Sequence, residues 1–173
     1  LSGTANGLGC ASCHGSDGRG RGQRDIPILG GQDPAYLARA LEDYATGRRD
    51  SAFMATAAAT LDRDQMVSLA KRFAAQPGLG GAPGNDASAR AIVERGMPRE
   101  QLPACASCHR PGGRAPMLAG QRAGYIAQRL RDWRGDETVV DARKPQATMP
   151  VIARRIPAGM IDRLAAYLAG ERQ

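Results

Sequence analysis

The chain has 173 residues, 42% of them hydrophobic but only 4% aromatic, and 24 Lys+Arg against 17 Asp+Glu leave a formal charge of +7. No run of about 18 apolar residues occurs, which excludes a membrane-spanning helix. No basic start followed by an apolar stretch opens the sequence, so a signal peptide is expected to have been cleaved already. The 2 His exclude any site that needs three imidazoles from this chain.

In chain order the first informative element is Cys10-Ala11-Ser12-Cys13-His14. Next comes Pro27-Ile28-Leu29-Gly30-Gly31-Gln32, and then a helix predicted over 34–45, with Asp33 as N-cap, Pro34 at the first position and Leu37, Leu41 and Tyr44 at helical spacing. Arg48 and Arg49 read as a solvated turn, the alternative being cations for a negatively charged ligand group. Met54 follows in a stretch expected to be a loop, held by a helix over 62–75 that carries Met66, Leu69, Ala70 and Phe73 on one face. Residues 76–85 contain six Gly or Pro, which breaks helix and strand alike. Asn85 or Asp86 can cap a further helix that ends at Gly96.

The second half repeats the first. Cys105-Ala106-Ser107-Cys108-His109 lies 95 residues after the first pentapeptide, and the two copies contain every Cys and His of the chain. Pro116-Met117-Leu118-Ala119-Gly120-Gln121 matches 27–32 at an offset of 89, which persists through Tyr36/Tyr125, Leu41/Leu130 and Tyr44/Trp133 in helices over 34–45 and 122–134. The offset returns to 95 at Met54/Met149 and Leu69/Leu164, in front of a last helix over 158–169. A register that holds in helices and slips in loops marks a duplicated domain. The expected division is 1–80 and 81–173, each half all-α and too small to bury a full core unaided.

The pentapeptide carries the chemistry. Cys-x-x-Cys-His places two thiols on one helical turn, where each can form a thioether to a haem vinyl, and the adjacent His lies under the iron. Redox disulfides or zinc sites require neither a His at the same place twice nor an inventory with nothing left over. The expected cofactors are therefore two covalently bound haem c groups, on Cys10, Cys13 and His14 and on Cys105, Cys108 and His109. The repeat register singles out Met54 and Met149 among the 6 Met as second axial ligands, the alternative being flexible core fillers. The carbonyls of Pro27 and Pro116 can accept from the proximal Nδ1–H. Tyr36, Tyr125, Gln32 and Gln121 can reach the haem propionates or bond locally. Two porphyrins would also explain how so few aromatics suffice.

These motifs make the chain resemble the dihaem cytochrome c4 family, a class I cytochrome c duplicated in one chain, and the similar dihaem subunit of flavocytochrome c sulfide dehydrogenase. The resemblance implies two tandem class I cytochrome c domains, His14 and His109 proximal, Met54 and Met149 distal, and haems close enough for transfer within the molecule. It further implies a periplasmic electron carrier, soluble or membrane-associated, that serves a terminal oxidase, another cytochrome or a dehydrogenase subunit. Two features depart from the family: only nine residues precede Cys10, so the first N-terminal helix is expected to be short or missing, and Arg110 stands where Gly15 follows His14. The charge divides as 9 Lys+Arg and 8 Asp+Glu over 1–84 (+1) against 15 and 9 over 85–173 (+6), so the excess sits on the second half, where it can steer docking to an acidic partner or form an ordinary solvated surface. Basic residues interspersed with acidic ones, and no nucleic-acid motif, argue against nucleic acid as the partner. A haem enzyme would need an open axial site. The expectation is a non-enzymatic carrier, with a subunit of an oxidoreductase complex as the alternative.

Overall fold

The computed structural model describes residues 8–20, 26–135 and 148–171. The described residues form eight α-helices and short 3₁₀ turns, with no β-strand beyond an isolated bridge between Met97 and Leu102. They divide into two compact units, one ending at Gly78 and the other beginning at Leu79. The segments whose lengths differ between the repeats include residues 21–25 and 136–147, which lie outside the described residues, as do residues 1–7.

The first unit contains α1 (Leu8–His14), α2 (Pro34–Ala45), α3 (Ala52–Ala58) and α4 (Arg63–Ala74). Each start has a local cause. The Asp33 carboxylate accepts from the Tyr36 N–H at 2.6 Å, with Pro34 occupying a position where a missing N–H costs nothing. Asp62 and Gln65 close a reciprocal capping box at 2.8 and 3.0 Å. Helix α2 packs on α3 and α4, and Leu37, Leu69, Ala70 and Phe73 form the buried cluster between them.

The second unit contains α5 (Ala87–Arg95), α6 (Ala123–Gly135), α7 (Thr148–Arg155) and α8 (Ile161–Ala169). The Asp86 carboxylate caps α5 through the Ser88 and Ala89 N–H groups and is gripped by Arg163 of α8 at 2.6 Å (Nε) and 2.8 Å (Nη2). The Arg163 guanidinium holds this carboxyl below the usual carboxylate range, with the Ala89 N–H adding to the effect. One polar group thus caps a helix and ties it to its neighbour. Helix α6 packs on α7 and α8 over a core that includes Ile126, Leu130, Ile156, Leu164 and Leu168.

The duplication is visible in burial. Leu37 and Ile126, Met66 and Ile161, Leu69 and Leu164, and Phe73 and Leu168 are all core residues of their own units, and Ala58 and Ala153 are each 0% exposed. One difference from expectation concerns the methionines, which lie on short helices rather than in loops. Ser51 accepts from the Met54 N–H at 3.3 Å, and the Ala-rich run after it propagates α3. Helices of seven and eight residues are too short to show an apolar period, so the pattern alone did not reveal them.

Gly96 sets the path into the second motif. It ends α5 at φ 73°, and a Cβ there would sit 2.7 Å from the Ala104 nitrogen and against the Leu102 carbonyl. The chain then reverses through reciprocal Met97–Leu102 backbone bonds of 2.8 and 3.1 Å and delivers Cys105. Gly96→Ala combines positive-φ strain with a backbone clash and is expected to cost about 1–3 kcal/mol. At roughly 4–8 °C per kcal/mol for a unit of this size, differential scanning calorimetry should show the second unit's transition displaced downward and the first unmoved.

Candidate functional site

Both pentapeptides are carried by helical turns, but not the same kind. Cys10, Cys13 and His14 lie on α1, whereas Cys105 begins a 3₁₀ turn, Cys105–Ser107, and Cys108 and His109 follow it. After His14, Gly15 takes φ 74° and the chain turns so that the Gly20 N–H reaches the His14 carbonyl at 2.6 Å. After His109, Arg110 makes a tighter turn, its N–H 3.1 Å from the Cys108 carbonyl. The four thiols are free, with Cys13 and Cys108 exposed and Cys10 and Cys105 half-buried.

The structure brings each histidine to its proline. His14 Nδ1 lies 3.2 Å from the Pro27 carbonyl and His109 Nδ1 2.7 Å from that of Pro116. A carbonyl only accepts, so Nδ1 carries the proton and Nε2 presents its lone pair. Burial lowers the pKa of both rings, and the carbonyl partner only partly offsets this. Each ring is therefore a neutral imidazole with a fixed tautomer, the form a metal requires. Close backbone packing supports this arrangement in the first unit: a Cβ on Gly30 would lie 2.7 Å from the Pro77 carbonyl.

The remaining site residues fall into register. Gln32 and Gln121 are both 5% exposed, and each side-chain oxygen accepts from the next backbone N–H at 3.0 Å, those of Asp33 and Arg122. Tyr36 and Tyr125 lie half-buried in the first turns of α2 and α6. The Tyr36 hydroxyl accepts from Arg49 Nη1 at 3.1 Å, and the same guanidinium lies 4.7 Å above the Tyr44 ring. Arg49 is thus no free turn residue but joins two tyrosines of α2, whereas Arg48 pairs with Asp43 at 3.0 Å. The composition of Gly47-Arg48-Arg49 could not distinguish the two arginines. Met54 and Met149 are half-buried at matched positions, and Met149 packs against the second core.

Two thiols and one oriented neutral imidazole in each unit form a donor set that fits a covalently attached haem. A helical chain carrying that set twice is a dihaem c-type cytochrome, an electron-transfer protein. No protein-family model matches the chain. Cytochrome c4 of Thiocapsa roseopersicina is 32% identical to it over 98% of this chain and 90% of its own length. The thiosulfate dehydrogenase electron acceptor of Stutzerimonas stutzeri (strain A1501) is 31% identical over 96% of this chain and 80% of its own. The cytochrome c4 structure from Acidithiobacillus ferrooxidans matches with a TM-score of 0.78 at 31% identity, covering 94% of this chain and 98% of that one. The chain belongs to the cytochrome c4 family, and its fold is two class I cytochrome c domains with two covalent haems.

Proposed function

We propose that the protein is a periplasmic carrier that accepts and donates single electrons, with transfer between two His/Met-ligated haems on one chain. The observation that carries this reading is the pair of neutral imidazoles, each fixed through Nδ1 by a proline carbonyl, in register with one methionine per unit. The haem supplies Fe(II)/Fe(III) exchange without bond making. Cys10, Cys13, Cys105 and Cys108 hold the two groups as thioethers, and His14 and His109 offer Nε2. Met54 and Met149 would each supply a second protein ligand to the iron of their unit, which would favour electron transfer over substrate binding. Pro27 and Pro116 orient the histidines, while Tyr36, Tyr125, Gln32 and Gln121 line the sites. Each unit forms one haem domain, with the boundary near residue 80.

The relative named as a thiosulfate dehydrogenase electron acceptor favours a second reading, in which the chain is the accepting subunit of a dehydrogenase. Purification from native periplasm and membranes distinguishes the two. A free carrier elutes alone, takes up two electrons in a reductive titration, and exchanges them with an acidic partner at rates that fall as salt rises. A stoichiometric second polypeptide that reduces both haems when its substrate is added would replace the carrier reading with the subunit reading.

A further inference from the structure

The two methionine helices have a common register, but they are not held alike. In the second unit, Arg134 of α6 reaches the C-terminal end of α7. Its Nη1 lies 3.3 Å from the Ala153 carbonyl and 3.0 Å from that of Arg154, and it also contacts the Ile156 carbonyl. The last carbonyls of a helix have no partner within it and carry the negative end of its dipole, so a guanidinium is the ligand they bind best. At the other side of the same turn, Arg155 of α7 donates to the Gln101 carbonyl at 2.6 Å, on the segment that leads to Cys105. An eight-residue helix is marginal alone, so the place of Met149 in its first turn follows from how α7 is docked.

The matching position of the first unit carries no cation. At the 89-residue offset that pairs Tyr44 with Trp133, Arg134 corresponds to Ala45, whose methyl donates nothing. The carbonyl-bearing residues Ala153 and Ile156 correspond to Ala58 and Leu61 at the 95-residue offset. Both units close the turn after the methionine helix alike, with the Leu61 N–H on the Ala58 carbonyl at 3.1 Å and the Ile156 N–H on that of Ala153 at 3.2 Å; the first adds the Thr60 hydroxyl on the Ala57 carbonyl at 2.9 Å, where the second adds the Arg134 guanidinium.

We infer that Arg134 is a positioning residue that locks the helix bearing Met149, making the second iron's methionine harder to displace than the first iron's. The inference rests on the reading of Met149 as an axial ligand. The test uses the ferric holoprotein mixed with excess imidazole in a stopped-flow spectrometer, with Met54→Ala and Met149→Ala assigning the kinetic phases. The wild type should show a fast phase from the first haem and a slow one from the second. Arg134→Ala should accelerate the slow phase by roughly tenfold or more, the factor for one lost charge-assisted hydrogen bond, and leave the fast phase unchanged. Arg134→Lys should fall between the two, since it retains charge but loses the planar fork. A purely stabilising role would lower the melting temperature without moving one phase selectively. An unchanged slow phase in Arg134→Ala overturns the inference; if that variant does not fold, the same result in Arg134→Lys overturns it. Should Met149→Ala leave the ferric methionine–iron absorption band intact, the ligand reading itself has failed, whatever the Arg134 variants show.

Discussion

Replacing Met149 with alanine lowers one of the two midpoint potentials by on the order of 0.1 V or more and leaves the other nearly unmoved; Met54→Ala does the same to the other haem. The physical reason is the softness of the thioether, which stabilises Fe(II) relative to Fe(III). The assignment rests on where the remaining sulfurs stand. Met66 is buried in the first core, the Met160 sulfur accepts from Arg163 Nη1 at 3.6 Å, Met97 packs against the second core, and Met117 is matched in the repeat by Ile28 rather than by a methionine. Met54 and Met149 alone share the 95-residue offset of the cysteines, each four residues before a fully buried alanine. Spectroelectrochemical titration of the two variants checks the result, and two unmoved potentials would remove both ligand assignments.

Blocking haem attachment in the first unit, with Cys10→Ala and Cys13→Ala together, should unfold that unit while the second persists. The second unit keeps its own haem, and the small core of the first explains why that unit does not stand without one. The buried cluster described in the first unit is Leu37, Leu69, Ala70 and Phe73, with Leu29, Tyr36 and Leu61 partly buried around it. The second unit has a more extensive one, including Ile92, Leu102, Ile126, Leu130, Ile156, Ile161, Leu164, Tyr167 and Leu168. It also has the Asp86–Arg163 pair and the Arg134 clamp. At about 1.5–3 kcal/mol for each large apolar side chain buried, the first set falls short of the conformational entropy of the chain that must be ordered around it. Hydrogen exchange by mass spectrometry reads this directly. The amides of α2 and α4 should lose protection and those of α6 and α8 should keep it; retained protection in α2 and α4 would show that the first core stands without its haem.

Much of the site was legible because its chemistry is local in sequence. Two Cys and a His within five residues define a haem mount before any fold is known, and repetition removes the disulfide and zinc alternatives. The helix start at Asp33 was legible for the same reason, and the next unit's first cap to within the choice of Asn85 or Asp86, which the structure gives to Asp86, since a cap bonds within three residues of itself. The short helices of Met54 and Met149 were not, because seven or eight residues show too little of a 3.6-residue period.

The sequence by itself determines two haem mounts, an all-helical duplication and the basic second half, and it offers two prolines whose carbonyls could orient the histidines; packing brings those carbonyls to 3.2 and 2.7 Å from Nδ1. Tertiary structure decided which arginines matter. Arg49 and Arg48 are neighbours in the chain, yet one joins Tyr36 to Tyr44 and the other pairs with Asp43. Arg134 stands at the end of the helix predicted over 122–134 with nothing in its spacing to single it out, yet its side chain reaches carbonyls 19 to 22 residues onward. A long cation chooses its partner from whatever packing brings within reach, and neither composition nor spacing encodes that choice.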